Sequence, residues 1–95
     1  MEAMQTKAKE ATIFLKTMAH PERLLVLCQL IDGEIGAGDL SDKSDLSQSA
    51  FSQQLRVLRD QKFVKTRKDA QQVFYSIADD RVKKVLGVML DTFCR

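Results

Sequence analysis

Residues 45 to 60, DLSQSAFSQQLRVLRD, set three serines, three glutamines and two arginines around a thin apolar line. Phe51, Leu55 and Leu58 recur at i, i+4 and i+7, one stripe of a helix, and Ser49, Gln53 and Arg56 stand opposite with Ser52 beside them. A face that only has to be wet is better written in Glu and Lys, which favour the helix and keep a domain soluble. Short amides, hydroxyls and guanidinium groups match instead the edges displayed in the DNA major groove, where Gln pairs with adenine, Arg with guanine, and Ser reaches bases or phosphates. Gln48, Ser49, Ser52, Gln53 and Arg56 are therefore the expected contacts to double-stranded DNA. Arg67, Lys68 and Gln71, further along a basic run, are expected at phosphates or in the adjacent minor groove. An ordinary solvated face beside a basic hairpin is the competing reading of the same residues.

The remaining reactive groups are few. His20 is the only histidine, and as the residue before Pro21 it is expected to close a turn between helices rather than to bind a ligand. With one histidine and no glycine-rich phosphate loop, no Ser/His/Asp, Cys/His or metal constellation assembles, so no catalytic residue, metal or cofactor is expected. Cys28 and Cys94 are too far apart in sequence for a CxxC metal knuckle and read as reduced thiols or a regulated pair. Cys28 shares a face with Leu24, Leu27 and Ile31, which also suits a small core residue, whereas Cys94 lies one residue from the chain end.

The 95 residues, 44 % of them apolar, have room for one compact domain, residues 1–95, and one modest core. The formal charge of +2 hides an uneven layout. Asp32 to Asp45 holds five acids against Lys43, whereas Gln48 to Lys68 holds six bases against Asp60. No apolar run reaches the eighteen or so residues that span a bilayer, and the start MEAMQTKAKEA has no signal-peptide core, so a cytoplasmic protein with no membrane partner is expected.

Six elements must position these groups. Residues 2–18 carry apolar positions at helical spacing without Gly or Pro, and His20-Pro21 separates them from a second helix over Pro21 to Asp32 that Gly33 stops. A short helix at about Gly38 to Lys43 and a turn through Ser44, Asp45 and Leu46 lead to Ser47, a good N-cap for a helix from Gln48 to about Gln61. The period then changes to two: Val64 and Thr66 alternate with Lys65 and Arg67, and Val73, Tyr75 and Ile77 with Phe74 and Ser76, across a KDAQ reversal. Val82, Val85, Leu86, Met89, Leu90 and Phe93 then mark a last amphipathic helix. The fold class is mainly α with a β-hairpin wing, a winged helix-turn-helix in the order α-α-α-α-β-β-α, whose second motif helix enters the major groove.

The wording of these segments resembles a known family. LKTMAHPERLLVLCQL together with LSQSAFSQQLRVLRDQKFVKTRKDAQQVFYSI is similar, over almost the whole chain, to the ArsR/SmtB family of bacterial winged-helix repressors. Two departures bear on DNA contact and helix termination: Gln54 stands where the family commonly has histidine, and Asp60-Gln61-Lys62-Phe63 replaces an acidic-Ala-Gly-Leu exit. The resemblance implies a homodimer joined through its first and last helices, presenting two recognition helices to an imperfect operator palindrome. It implies no metal input, because EIGAGDL lacks the cysteines of metal-sensing members and the last helix lacks histidine. Cys28 and Cys94 instead resemble the pair of the thiol-based, sulfur- and redox-responsive branch, which implies a disulfide or polysulfide bridge formed with a persulfide, polysulfide or oxidant as inducer, and release of DNA. Two alternatives stay open: a regulator that displaces another repressor without a small-molecule inducer, and a protein-interaction module.

Overall fold

His20 and Pro21 break the helical stretch at the chain start into two. His20 is extended, its Nδ1 accepts the Glu22 N–H at 3.1 Å, and Pro21 occupies the first helical position, where a missing N–H is harmless. In the computed structural model, which describes residues 1–94, this divides α1 (Glu2–Met18) from α2 (Pro21–Leu30). There follow β1 (Ile35–Gly36), α3 (Ala37–Asp42), α4 (Gln48–Asp60), β2 (Val64–Asp69), β3 (Gln72–Ile77) and α5 (Asp80–Phe93). The winged helix-turn-helix order expected from the sequence is present.

Three local details differ from expectation. The second helix ends at Leu30 rather than Asp32, because the Ile31 N–H turns back to the Cys28 carbonyl and Gly33, at φ 146°, donates to Leu30. Residues 35 and 36 form a strand too short to show any period, and it pairs antiparallel with β3 through Ile35↔Tyr75 and Gly36↔Phe74. The sheet therefore has three strands in the order β1-β3-β2, with β3 central. Thr66, expected to alternate inward with Val64, is exposed, because only Val64 of β2 lies over the core while the rest of the strand projects as a wing.

One buried cluster joins the elements. Leu27 and Leu30 of α2, Leu40 of α3, Leu58 of α4, and Val82 and Leu86 of α5 are almost wholly shielded, with Phe63, Val64, Tyr75 and Ile77 of the hairpin region packed among them. On α2 the shielded arc centres on Val26, Leu27 and Leu30, and Leu24, Cys28 and Ile31 border it half-buried. Asp79 caps α5 by accepting the Arg81 N–H at 2.9 Å, and the Arg81 guanidinium beside it holds this carboxyl below the usual range.

The exit from α4 carries strain. The Lys62 N–H donates to the Arg59 carbonyl and the Phe63 N–H to the Leu58 carbonyl, both at 2.9 Å, which is a Schellman closure. Its left-handed position is normally glycine, but here Lys62 adopts φ 61°. The Lys62→Gly substitution is therefore expected to raise unfolding free energy by about 0.5–1 kcal/mol, relief of the Cβ clash being partly offset by a freer unfolded chain. Leu58→Ala is expected to lower it by about 2–5 kcal/mol through the cavity left in the core. Urea unfolding followed by circular dichroism reads both changes.

Candidate nucleic-acid interface and thiol pair

Ser47 starts α4 as expected, in extended conformation with its hydroxyl accepting the Ala50 N–H at 3.2 Å. Phe51, Leu55 and Leu58 are buried, and their burial turns the opposite side of the helix to solvent. Ser49, Ser52, Gln53 and Arg56 are exposed on that side, and Gln48 is exposed at the first turn of the helix. Arg56 approaches Asp60 at 3.9 Å with both side chains largely in water, a pairing that solvent screens. A cleft of about 480 Å³ runs between α4 and β3, lined by Ser52, Arg56, Arg59 and Tyr75 among others. Arg59 was legible only as part of the basic run; its place on this cleft follows from where β3 packs.

Gln54 has a different task from its neighbours. It is half-buried, and its Oε1 accepts from Arg23 Nη1 at 2.8 Å. The same guanidinium donates through Nε to the Thr17 carbonyl at 2.6 Å, so Arg23 joins the end of α1, the start of α2 and the middle of α4. A second tie fixes the turn before α4: Ser44 Oγ donates to Glu22 Oε1 at 2.7 Å and accepts the Leu46 N–H at 3.1 Å. Sequence reasoning missed both ties, since their partners stand 31 and 22 residues apart without any periodic signal.

The wing is less uniform than its composition suggests. Lys68 and Gln71 are exposed at and beside a two-residue reversal, Ala70 and Gln71, in which Ala70 adopts φ 56°. Arg67 does not stand free. Its Nη2 lies 2.6 Å from Glu34 Oε1, its Nε 3.2 Å from Glu34 Oε2, and its Cζ 4.7 Å from the centroid of the Phe74 ring. The hydrogen bond from Arg67 holds the Glu34 carboxyl below its ordinary range, so the pair stays ionised through neutral pH.

Cys28 is half-buried on α2 against the core, and Cys94 is exposed just after α5, its N–H donating to the Leu90 carbonyl at 2.9 Å. Both are free thiols. Burial pushes the Cys28 thiol up, and the charge of Cys94 adds to the effect. Among the described residues, no group of three or more His, Cys, Asp or Glu side chains could hold a metal ion. No described helix is long and apolar enough to cross a membrane.

A short helix, a turn, a second helix with an exposed polar face and a β-hairpin beside it together define a winged helix-turn-helix protein. Residues 20–66 match the model of the bacterial regulatory protein, arsR family. Over 99 % of its length the chain is 43 % identical to the biofilm growth-associated repressor of Agrobacterium fabrum, covering 80 % of that protein. It is 40 % identical over its whole length to the transcriptional activator HlyU of Vibrio cholerae, covering 88 % of it. A solved structure of reduced HlyU from Vibrio cholerae superposes with a TM-score of 0.94 at 40 % identity, each chain covered in full. The chain belongs to the ArsR family of bacterial regulatory proteins and is not an enzyme.

The two thiols are expected to react in order. A raised pKa leaves less thiolate at neutral pH, and half-burial restricts access, so Cys94 should be alkylated by iodoacetamide before Cys28. Raising the pH from 7 to 9 should speed Cys28 alkylation, since deprotonation of a thiol with an elevated pKa grows across that window. Timed quenching with peptide mass spectrometry reads the order; equal rates at pH 7 contradict it.

Proposed function

We propose that this protein is a homodimeric regulator of transcription that binds operator DNA with reduced thiols and releases it when Cys28 and Cys94 become bridged. The observation that carries the DNA reading is the exposed polar face of α4, where Gln48, Ser49, Ser52, Gln53 and Arg56 all stand in solvent. Ser52, Gln53 and Arg56 are assigned to base edges, Gln48 and Ser49 at the start of the helix to bases or phosphates, and Lys68 and Gln71 to the backbone flanking the wing.

The exposed apolar surface supports a dimer. Met4, Ile13 and Leu15 of α1 are 71, 57 and 54 % exposed, and Val88 of α5 and Phe93 at its end are 66 and 74 % exposed. A 17-residue helix in which only Thr17 and Met18 are buried gains little stability from its own chain, and a two-fold partner that covers α1 and α5 supplies what is missing. Two α4 helices related by the same axis then face successive turns of the major groove.

For the thiols, the exposed Cys94 thiolate attacks the outer sulfur of a persulfide RSSH, giving a Cys94 persulfide and RSH. Cys28 then attacks the inner sulfur of that persulfide, forming the disulfide and releasing hydrogen sulfide. Where a second RSSH first converts Cys28 to its persulfide with loss of RSH, the outer sulfur of the Cys28 persulfide attacks the inner sulfur of the Cys94 persulfide, giving a trisulfide bridge and releasing hydrogen sulfide. Either product ties α2 to the end of α5, and through the dimer helices alters the spacing of the two α4 helices. That a related protein is an activator favours a second reading, displacement of another DNA-binding protein without any inducer.

Purified protein and a random duplex pool separate these readings. Wild type should enrich a two-fold sequence, with affinity falling steeply as salt rises. Gln53→Ala and Arg56→Ala should each weaken binding to that duplex by about 1–3 kcal/mol and relax the base preference at one position. An organic persulfide should release the duplex and yield an intact mass with Cys28 and Cys94 linked. Unchanged binding and mass under persulfide would leave the inducer-free reading standing; failure to enrich any duplex would favour a protein-interaction module.

A further inference from the structure

The acidic segment and the basic segment of this chain meet at one side-chain junction outside the exposed face of α4. Glu34 lies two residues before Gly36 of β1, Gly36 pairs with Phe74 of the central strand, and Phe74 pairs with Arg67 of β2. The Arg67 guanidinium lies over the Phe74 ring at 4.7 Å and closes on both oxygens of Glu34 at 2.6 and 3.2 Å, with Asp69 Oδ2 at 3.8 Å from Nη1. Glu34, Phe74 and Arg67 therefore make a strap that crosses the sheet from the loop before β1 to the wing strand β2. The strap uses the planar fork of arginine, which both stacks on an aromatic ring and pairs in bidentate fashion with a carboxylate.

We propose that Arg67 is a positioning residue for the wing and not one of its phosphate ligands. The geometry that supports this is the occupied guanidinium: its Nε and Nη2 edge is taken by Glu34, its face by Phe74, and an acidic neighbour stands at Nη1. A phosphate approaching Arg67 would have to displace one carboxylate and meet a second. The exposed Lys68, next along the strand, carries no such partner among the described contacts and is the cation left to follow the DNA backbone. The strap acts at the base of the wing, where β1 ties the sheet to the start of α3, so it sets the angle between the wing tip and the helix-turn-helix.

This inference rests on the DNA-binding reading, and its test has one arm that needs no DNA. Glu34→Gln, Arg67→Gln, Arg67→Lys and the Glu34→Gln/Arg67→Gln double variant are compared in the full chain, with unchanged global unfolding midpoints as the control for folding. In the free proteins, amide hydrogen exchange over residues 66–75 is expected to quicken about threefold or more in each single variant and no further in the double, as for two partners of one contact. On the duplex enriched by wild type, each variant is expected to bind roughly three- to tenfold more weakly with the salt slope unchanged, Arg67→Lys failing to rescue.

The opposite pattern overturns the proposal. If Arg67 grips a phosphate, Glu34→Gln tightens binding, Arg67→Lys keeps most of the affinity, and Arg67→Gln lowers the salt slope by about one. Unchanged exchange in residues 66–75 also overturns it. A wild-type protein that enriches no duplex removes the DNA reading and the positioning role with it, and is told apart from a failed strap by the exchange arm.

Discussion

Phe51, Leu55 and Leu58 have only one direction in which to be buried, and the polar surface of α4 follows from that constraint. Once the stripe is seated against the core, Ser49, Ser52, Gln53 and Arg56 have no choice but to face outward. The stripe is narrow, so its hold on the rotation of the helix is reinforced by polar ties. Arg23 pins Gln54 from one side, and Glu22 with Ser44 fixes the turn through which the chain enters. The helix is thus held by its apolar edge and by one flanking amide, leaving Ser49, Ser52, Gln53 and Arg56 exposed to solvent. That division of labour within thirteen residues is what a reading helix requires, since base contacts depend on side chains whose backbone does not roll.

The same economy runs through the rest of the chain. One core cluster joins α2, α3, α4, α5 and the root of the hairpin, while α1 stands almost entirely outside it, and the chain extends 49 Å along its longest axis. α1 contributes little to that core, and its exposed apolar residues, with those on the outer side of α5, are the surface on which the proposed dimer rests. On α2 Cys28 borders the core, and Cys94 stands just after α5, one of the two helices of the proposed dimer surface. A covalent change there would act where the reading scaffold meets the surface proposed for association.

Much of this was legible in the sequence, and the reasons differ by element. α4 and its cap could be read because a 3.6-residue period and a serine hydroxyl leave a local trace, and the hairpin because a two-residue period follows directly after it. β1 left no trace, because two residues are too few to show alternation and its existence depends on Phe74 and Tyr75 lying alongside. The ties made by Arg23 and Arg67 were invisible for the same cause: a long polar side chain is locally ambiguous, and its partner is chosen by the tertiary fold. Arg67 reads as a wing cation from composition and acts as a cross-sheet partner of Glu34 in three dimensions. The family-like departures were informative in opposite ways. Gln54 is turned toward Arg23, and Lys62 shows that the helix exit keeps its hydrogen bonds even where glycine is missing.

Amide chemical-shift changes on titrating the protein with its enriched duplex test the central claim most directly, because they report which surface meets DNA without altering any side chain. The expected result is a set of changes concentrated at residues 48–56 and 68–71, with the outer faces of α1 and α5 little affected. Changes concentrated on α1 and α5, with residues 48–56 silent, would contradict the assignment of α4 as the reading helix.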